Sequence, residues 1–157
     1  MLKPGTKAPE FILNSHEGTE TSLSSLLQSG PLILYFYPAD FTPGCTKEAC
    51  AIRDIHDDIQ SVGLTVAGIS PQDEDSHQRF REEHELPFIL LSDPEKVAIK
   101  MYDVDGPFGV GVRRATYLIA QNRAITDAIM ADVMISRHQE FIEKAVILRE
   151  TAGLKLG

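Results

Sequence analysis

The chain has 157 residues, with 15 Lys and Arg against 23 Asp and Glu, a net charge of −8. That length predicts one domain spanning 1–157, and such a mass buries about two-thirds of its unfolded surface, enough for a core without disulfide staples. The acidic balance and the lack of any Lys/Arg run exclude a broad surface for nucleic acid or anionic lipid. In chain order, Phe11 to Leu13 reads as a short extended piece, His16 to Thr19 as a hairpin turn, and Glu20 to Leu23 as the return. Leu23 to Leu27 predicts one helical turn before Gly30-Pro31. Leu32 to Tyr37 is apolar and rich in β-formers, the pattern of a strand covered on both faces. Leu64 to Ser70 and Phe88 to Leu91 predict further strands of that kind. Helical patterns lie between them, at Thr46 to Ser61, Glu74 to His84 and Glu95 to Tyr102. Ala115 to Ile119 and Ala124 to Met130 read as a hairpin, and Ser136, a plausible N-cap, opens a helix to Thr151. Strands alternating with helices predict an α/β domain with a mixed sheet flanked by crossover helices.

Cysteine usage narrows the chemistry. Cys45 and Cys50 are the two cysteines of the chain, too few for a disulfide framework or a Cys-rich zinc site. Apolar stretches such as Pro31 to Tyr37 are too short to cross a bilayer, and no apolar h-region follows Met1 to Gly5. The expectation is a protein of the reducing cytoplasm that touches no membrane. An i, i+5 pair there is either incidental or redox-active.

Taking the helix as starting near Cys45, with about 100° per residue, Ile52, Ile55, Ile59 and Val62 form an apolar stripe centred near −50°. Cys45 lies on the edge of that stripe. Cys50 falls near +140°, beside Arg53, Asp54 and Asp57, and so faces outward. The unpaired N–H groups and positive end of a helix favour a thiolate at the first sulfur. In an intact helix the two Cα atoms would stand about 8–9 Å apart, beyond the roughly 7 Å limit for a disulfide. Any bond between them therefore demands that the first turns unwind.

A buried cysteine on a helix edge is commonly a small hydrophobe, and the residues around Cys45 decide against that here. The segment Pro38-x-x-x-Thr42-x-x-Cys45 resembles the active-site signature of the peroxiredoxins. Phe36-Tyr37-Pro38, Phe41 to Thr46, Glu48 and Cys50 are spaced as in the peroxiredoxin Q, or bacterioferritin comigratory protein, group. The likeness extends to Gly5 to Phe11, Val66 to Ser70, Leu86 to Asp93 and Arg114-Ala115-Thr116-Tyr117-Leu118-Ile119. It implies a thioredoxin-like fold and a thiol-dependent peroxidase acting on hydrogen peroxide and organic hydroperoxides.

By that resemblance Cys45 attacks the peroxide and becomes a sulfenic acid. Cys50 then resolves it as an intramolecular disulfide, and thioredoxin or a glutaredoxin restores the thiols. Thr42 donates its hydroxyl to the peroxide, Arg114 supplies a fixed cation, and Pro38, lacking an N–H, shields the sulfur from water. Glu48, on the inward side of the helix, orients the arginine or serves as an acidic residue near the helix N-terminus. No metal, flavin or haem is implied, and a resolving cysteine within the chain leaves a monomer, or at most a weak dimer, as the expectation. Strand alternation puts Arg113 on the face opposite Arg114, as a solvated charge.

Other features carry less. Gly106 to Gly111 lacks the context of a phosphate loop and reads as a flexible loop beside the site, with Phe108 at the substrate entrance. The five histidines show no metal spacing, and His56 reads as a helix-face residue. Ala120-Gln121-Asn122-Arg123 stands where the family carries Asp-x-x-Gly, which puts the positive φ at Asn122. Two other readings use the same cysteines: a thiol–disulfide oxidoreductase, although Cys-x-x-Cys spacing is missing, and a non-enzymatic redox sensor.

Overall fold

The computed structural model describes residues 1–156, with side chains through Gly153. Seven strands form one sheet: β1 (Ile12–Ser15), β2 (Glu20–Ser22), β3 (Leu32–Phe36), β4 (Thr65–Ser70), β5 (Ile89–Ser92), β6 (Ala115–Ile119) and β7 (Ile125–Met130). Their order is β2-β1-β5-β4-β3-β6-β7. β3, β4 and β5 run parallel, while β1, β6 and β7 pair antiparallel. The helices are α1 (Leu23–Leu26), α2 (Pro43–Asp54), α3 (His56–Ser61), α4 (Glu74–His84), α5 (Val97–Met101) and α6 (Ser136–Leu156).

β3 explains the layers. All five of its residues are buried, and period-two alternation sends them to two cores. Leu32, Leu34 and Phe36 join Leu23, Ile99 and Tyr102 on one face. Ile33, Tyr35 and the following Tyr37 join Cys45, Ala49, Ile52 and Phe141 on the other. A Cβ at Gly68, opposite Tyr35 in β4, would meet the tyrosine ring at 2.8 Å, so glycine lets that ring lie flat across the sheet.

The structure corrects several expectations. The helix expected over 46–61 begins at Pro43 and breaks at Ile55, whose φ of −109° and ψ of 10° are not helical. Proline at the first helical position is pre-set for a helix start and gives up an N–H that would have no partner. α5 spans Val97–Met101 rather than 95–102. The Asp93 carboxylate accepts from the Val97 and Ile99 N–H groups and fixes the start. In the β6–β7 turn the positive φ of 72° belongs to Arg123, not Asn122. The Asn122 side chain accepts from the Ala124 N–H, while the Arg123 guanidinium reaches Ala8 O at 3.0 Å, so contacts with the N-terminal segment hold the left-handed residue.

Candidate active site

α2 rises from the loop after β3, so Cys45 falls in its first turn. Thr42 is the N-cap residue, and its carbonyl accepts from Thr46 N at 2.9 Å. Its hydroxyl makes no cap; it donates to Ala39 O at 2.9 Å. Cys45 is 2% exposed and Glu48, one turn on, 1%. Both cysteines are free thiols, Cys45 buried and Cys50 half-buried. Further along the same helix, Arg53 reaches across to α4 and donates to His84 O at 2.8 Å. Pro38, just past β3, is half-buried.

Arg114 comes from the other side, one residue before β6. Its Nη2 donates to Cys45 Sγ at 3.3 Å and its Nη1 to Glu48 Oε1 at 2.7 Å. The side chain is 7% exposed. Burial opposes its charge, but Glu48 and Cys45 outweigh burial and raise its pKa further. Burial pushes Glu48 up to about 7 even against the attraction of Arg114. Arg113 points the other way and pairs with Asp132 at 2.8 Å, half-exposed. Gly44 leaves room for this arrangement, since a Cβ there would come within 3.2 Å of Arg114 Nη2.

The geometry thus gathers Cys45, Glu48 and Arg114, with Thr42 at the head of the same helix. A buried sulfur facing a doubly anchored guanidinium can hold negative charge and present it to an electrophile. Among the described residues no group of three or more His, Cys, Asp or Glu could hold a metal ion.

Comparison with known proteins gives this arrangement its context. The family model described as AhpC/TSA matches residues 4–128. The chain belongs to the AhpC/TSA family, the peroxiredoxins. It is similar to a putative peroxiredoxin bcp of Coxiella burnetii, 40% identical over 87% of this chain and 93% of that one. It is also similar to peroxiredoxin Bcp of Bacillus subtilis, 40% identical over 75% of this chain and 78% of that one. Among solved structures, peroxidoxin BcpB from Mycobacterium tuberculosis superposes with a TM-score of 0.88 at 32% identity, covering 94% and 98% of the two chains. The fold is the thioredoxin-like fold of the peroxiredoxins, and the activity is that of a thiol-dependent peroxidase of the peroxiredoxin Q and Bcp group. Peroxides as substrates and thioredoxin-type reductants belong to this family. Among the described residues, no helix is long and apolar enough to cross a membrane.

Sequence reasoning missed two buried polar groups next to this peroxiredoxin site. Asp40, in the loop between Pro38 and Thr42, accepts from Tyr37 Oη at 2.6 Å and Ser76 Oγ at 2.8 Å, and lies 2.7 Å from His77 Nδ1. His138, at the start of α6, lies 2.8 Å from Thr116 Oγ1 and 3.6 Å from Glu48 Oε2. Thr116 had a signal: it shares a strand face with Arg114, two residues on. The expected flexible loop at Gly106 to Gly111 is instead clasped by Lys96 Nζ, which reaches Asp105 and the carbonyls of Gly109 and Gly111 at 2.9–3.0 Å. Phe108 stands fully exposed at its tip.

Proposed function

We propose that Cys45 is the sulfur that attacks the peroxide and that Cys50 resolves the product within the same chain. The Cys45 thiolate displaces the leaving oxygen of R–O–OH: an S–O bond forms, the O–O bond breaks, and the alkoxide leaves to be protonated. Sulfur is oxidised by two electrons and the peroxide is reduced to alcohol, or to water when R is hydrogen. Arg114 faces the growing negative charge with donors that need no reorganisation. Pro38 supplies no competing N–H at the mouth, and Glu48 holds the guanidinium in place. Thr42 swings its hydroxyl from Ala39 O to the peroxide. Cys50 then attacks the sulfenic sulfur, forming S–S and releasing water. A dithiol, thioredoxin or a glutaredoxin, reduces that bond by exchange. We assign the chain to the cytoplasm, where dithiol reductants are kept reduced, and to a monomer, or at most a weak dimer, because a resolving thiol in the same helix needs no partner subunit.

The single observation that supports this reading best is the 3.3 Å contact from Arg114 Nη2 to Cys45 Sγ, with Nη1 fixed on Glu48. A buried cysteine that served packing alone would need no charged donor. Mass spectrometry after one equivalent of peroxide tests it. The expected result is a Cys45–Cys50 link in the wild type and a lone Cys45 sulfenic acid in Cys50→Ser. Peroxide turnover retained by Cys45→Ser would reject the assignment, and thioredoxin-driven cycling of Cys50→Ser at the wild-type rate would reject Cys50.

A further inference from the structure

Behind the guanidinium lies a buried polar contact that remains incomplete. Glu48 gives Oε1 to Arg114, but its Oε2 is buried with no hydrogen-bond partner. That oxygen faces His138 Nδ1 at 3.6 Å, and both side chains are 1% exposed. The other ring nitrogen, Nε2, lies 2.8 Å from Ala131 O. A carbonyl oxygen can only accept, so Nε2 carries a hydrogen. In a neutral ring Nδ1 is then a lone pair, which accepts from the Thr116 hydroxyl at 2.8 Å. Two acceptors, Nδ1 and Oε2, are left facing each other away from water. One added proton removes the conflict: either an imidazolium N–H at Nδ1 donates to Oε2, or a Glu48 O–H donates to Nδ1 once the Thr116 hydroxyl turns away from that single lone pair.

Charge counting says when that proton arrives. With Cys45 a thiol, Arg114 and an ionised Glu48 sum to zero. With Cys45 a thiolate, the buried cluster carries a net negative charge unless a proton joins it, and uncompensated buried charge is costly. We propose that Glu48 and His138 share a proton that is taken up as Cys45 ionises and released once the sulfur is oxidised. His138 is thus a positioning residue for the proton balance of the peroxidase. The proposal rests on Cys45 being the attacking sulfur. The pair loses one proton and the departing alkoxide gains one, so thiol plus hydroperoxide become sulfenic acid plus alcohol with no net proton exchanged.

The groups facing the pair allow this. Burial holds the His138 ring below its ordinary basicity, with Arg114 and Arg137 adding to it and the hydrogen bond to Ala131 O and Asp132 opposing. Asp132 is occupied by Arg113 and by the Arg114 backbone N–H. The Tyr35 phenol, buried in β3 with Glu48 and Cys45 acting on it, is raised well above its usual range and stays neutral.

The test follows Cys45 oxidation by hydrogen peroxide in the Cys50→Ser protein, by quenched flow and mass spectrometry across the neutral pH range. His138→Gln keeps a donor for Ala131 O but cannot bind the proton. It should move the acid limb of the rate profile up by about one pH unit, about tenfold in rate below it, with the plateau kept. Glu48→Gln, neutral by construction, should make the His138 change silent in the double variant. A uniform loss at every pH, or additive losses in the double variant, would overturn the proposal. Independently of any fold defect in those variants, carbon-13 and nitrogen-15 NMR of Glu48 and His138 should give a higher titration midpoint with Cys45 than in Cys45→Ser. Equal midpoints would also overturn it. If the Cys50→Ser protein reacts with peroxide no faster than a free thiol, the peroxidase assignment fails instead, and the NMR comparison still decides the pair.

Discussion

The guanidinium of Arg114 divides its donors between a sulfur and a carboxylate, so neither end can drift without releasing the other. Removing it should cost about 10²–10³-fold in the rate of peroxide attack, the usual toll for a lost transition-state donor. Arg113→Ala removes an exposed pair with Asp132, worth at most about 1 kcal/mol, and should leave that rate within about twofold; stopped-flow kinetics on both variants separates them. Glu48 gives a second, thermodynamic expectation. Its pKa rises from an ordinary 4.5 to about 7 on folding, so between those values the folded chain holds a proton that the unfolded chain has lost. Stability from this group is present below about pH 4.5 and is lost as pH rises through about 7. Urea unfolding should therefore show Glu48→Gln gaining on the wild type as pH climbs through that window. A constant difference would mean Glu48 ionises as freely in the fold as outside it. Much of this arrangement was legible: the resemblance to the peroxiredoxin signature singled out Cys45 and Arg114, and strand alternation set Arg113 on the opposite face. His138 was not, because its partner Glu48 lies 90 residues earlier in the sequence and no periodicity links them.

α2 holds both cysteines in one unbroken helix from Pro43 to Asp54, and its geometry keeps them about 8–9 Å apart. Closing the disulfide must therefore unwind the helix between them. Amide hydrogen exchange should show protection lost over 43–50 on oxidation and kept in β3 and α3. Full protection in the oxidised protein would mean the two sulfurs meet by another route. The sequence pattern placed a helix here but ran it through Ile55, because the apolar repeat of Ile52, Ile55 and Ile59 continues across the break. Periodicity reports which side faces the core, and it does not register a residue whose backbone leaves the helix while its side chain stays inside. The half-burial of Cys50 was hidden for a different reason, since a helical wheel shows one helix and not what the rest of the chain packs beside it.

Across the whole molecule, the alternation of strands and helices made the mixed sheet legible in the sequence, because buried parallel strands are apolar throughout. What joins the layers was less visible. Asp40 and His77 meet across 37 residues, both side chains fully buried, and His77 also reaches Leu91 O at 3.0 Å. They fasten the loop after β3 to α4 and β5. Removing one partner of such a pair typically costs about 3–5 kcal/mol, so His77→Ala should lower the unfolding free energy by about that amount in urea titration. A loss under about 1 kcal/mol would show that the loop is secured elsewhere. Asp40 lies just ahead of α2, and the break at Ile55 lies just behind it. In the proposed cycle, the segment that has to melt and rewind is thus bracketed like a fuse between two terminals. On that proposal the sheet and the remaining helices sit out the turnover, and the change of shape is confined to one segment of the fold.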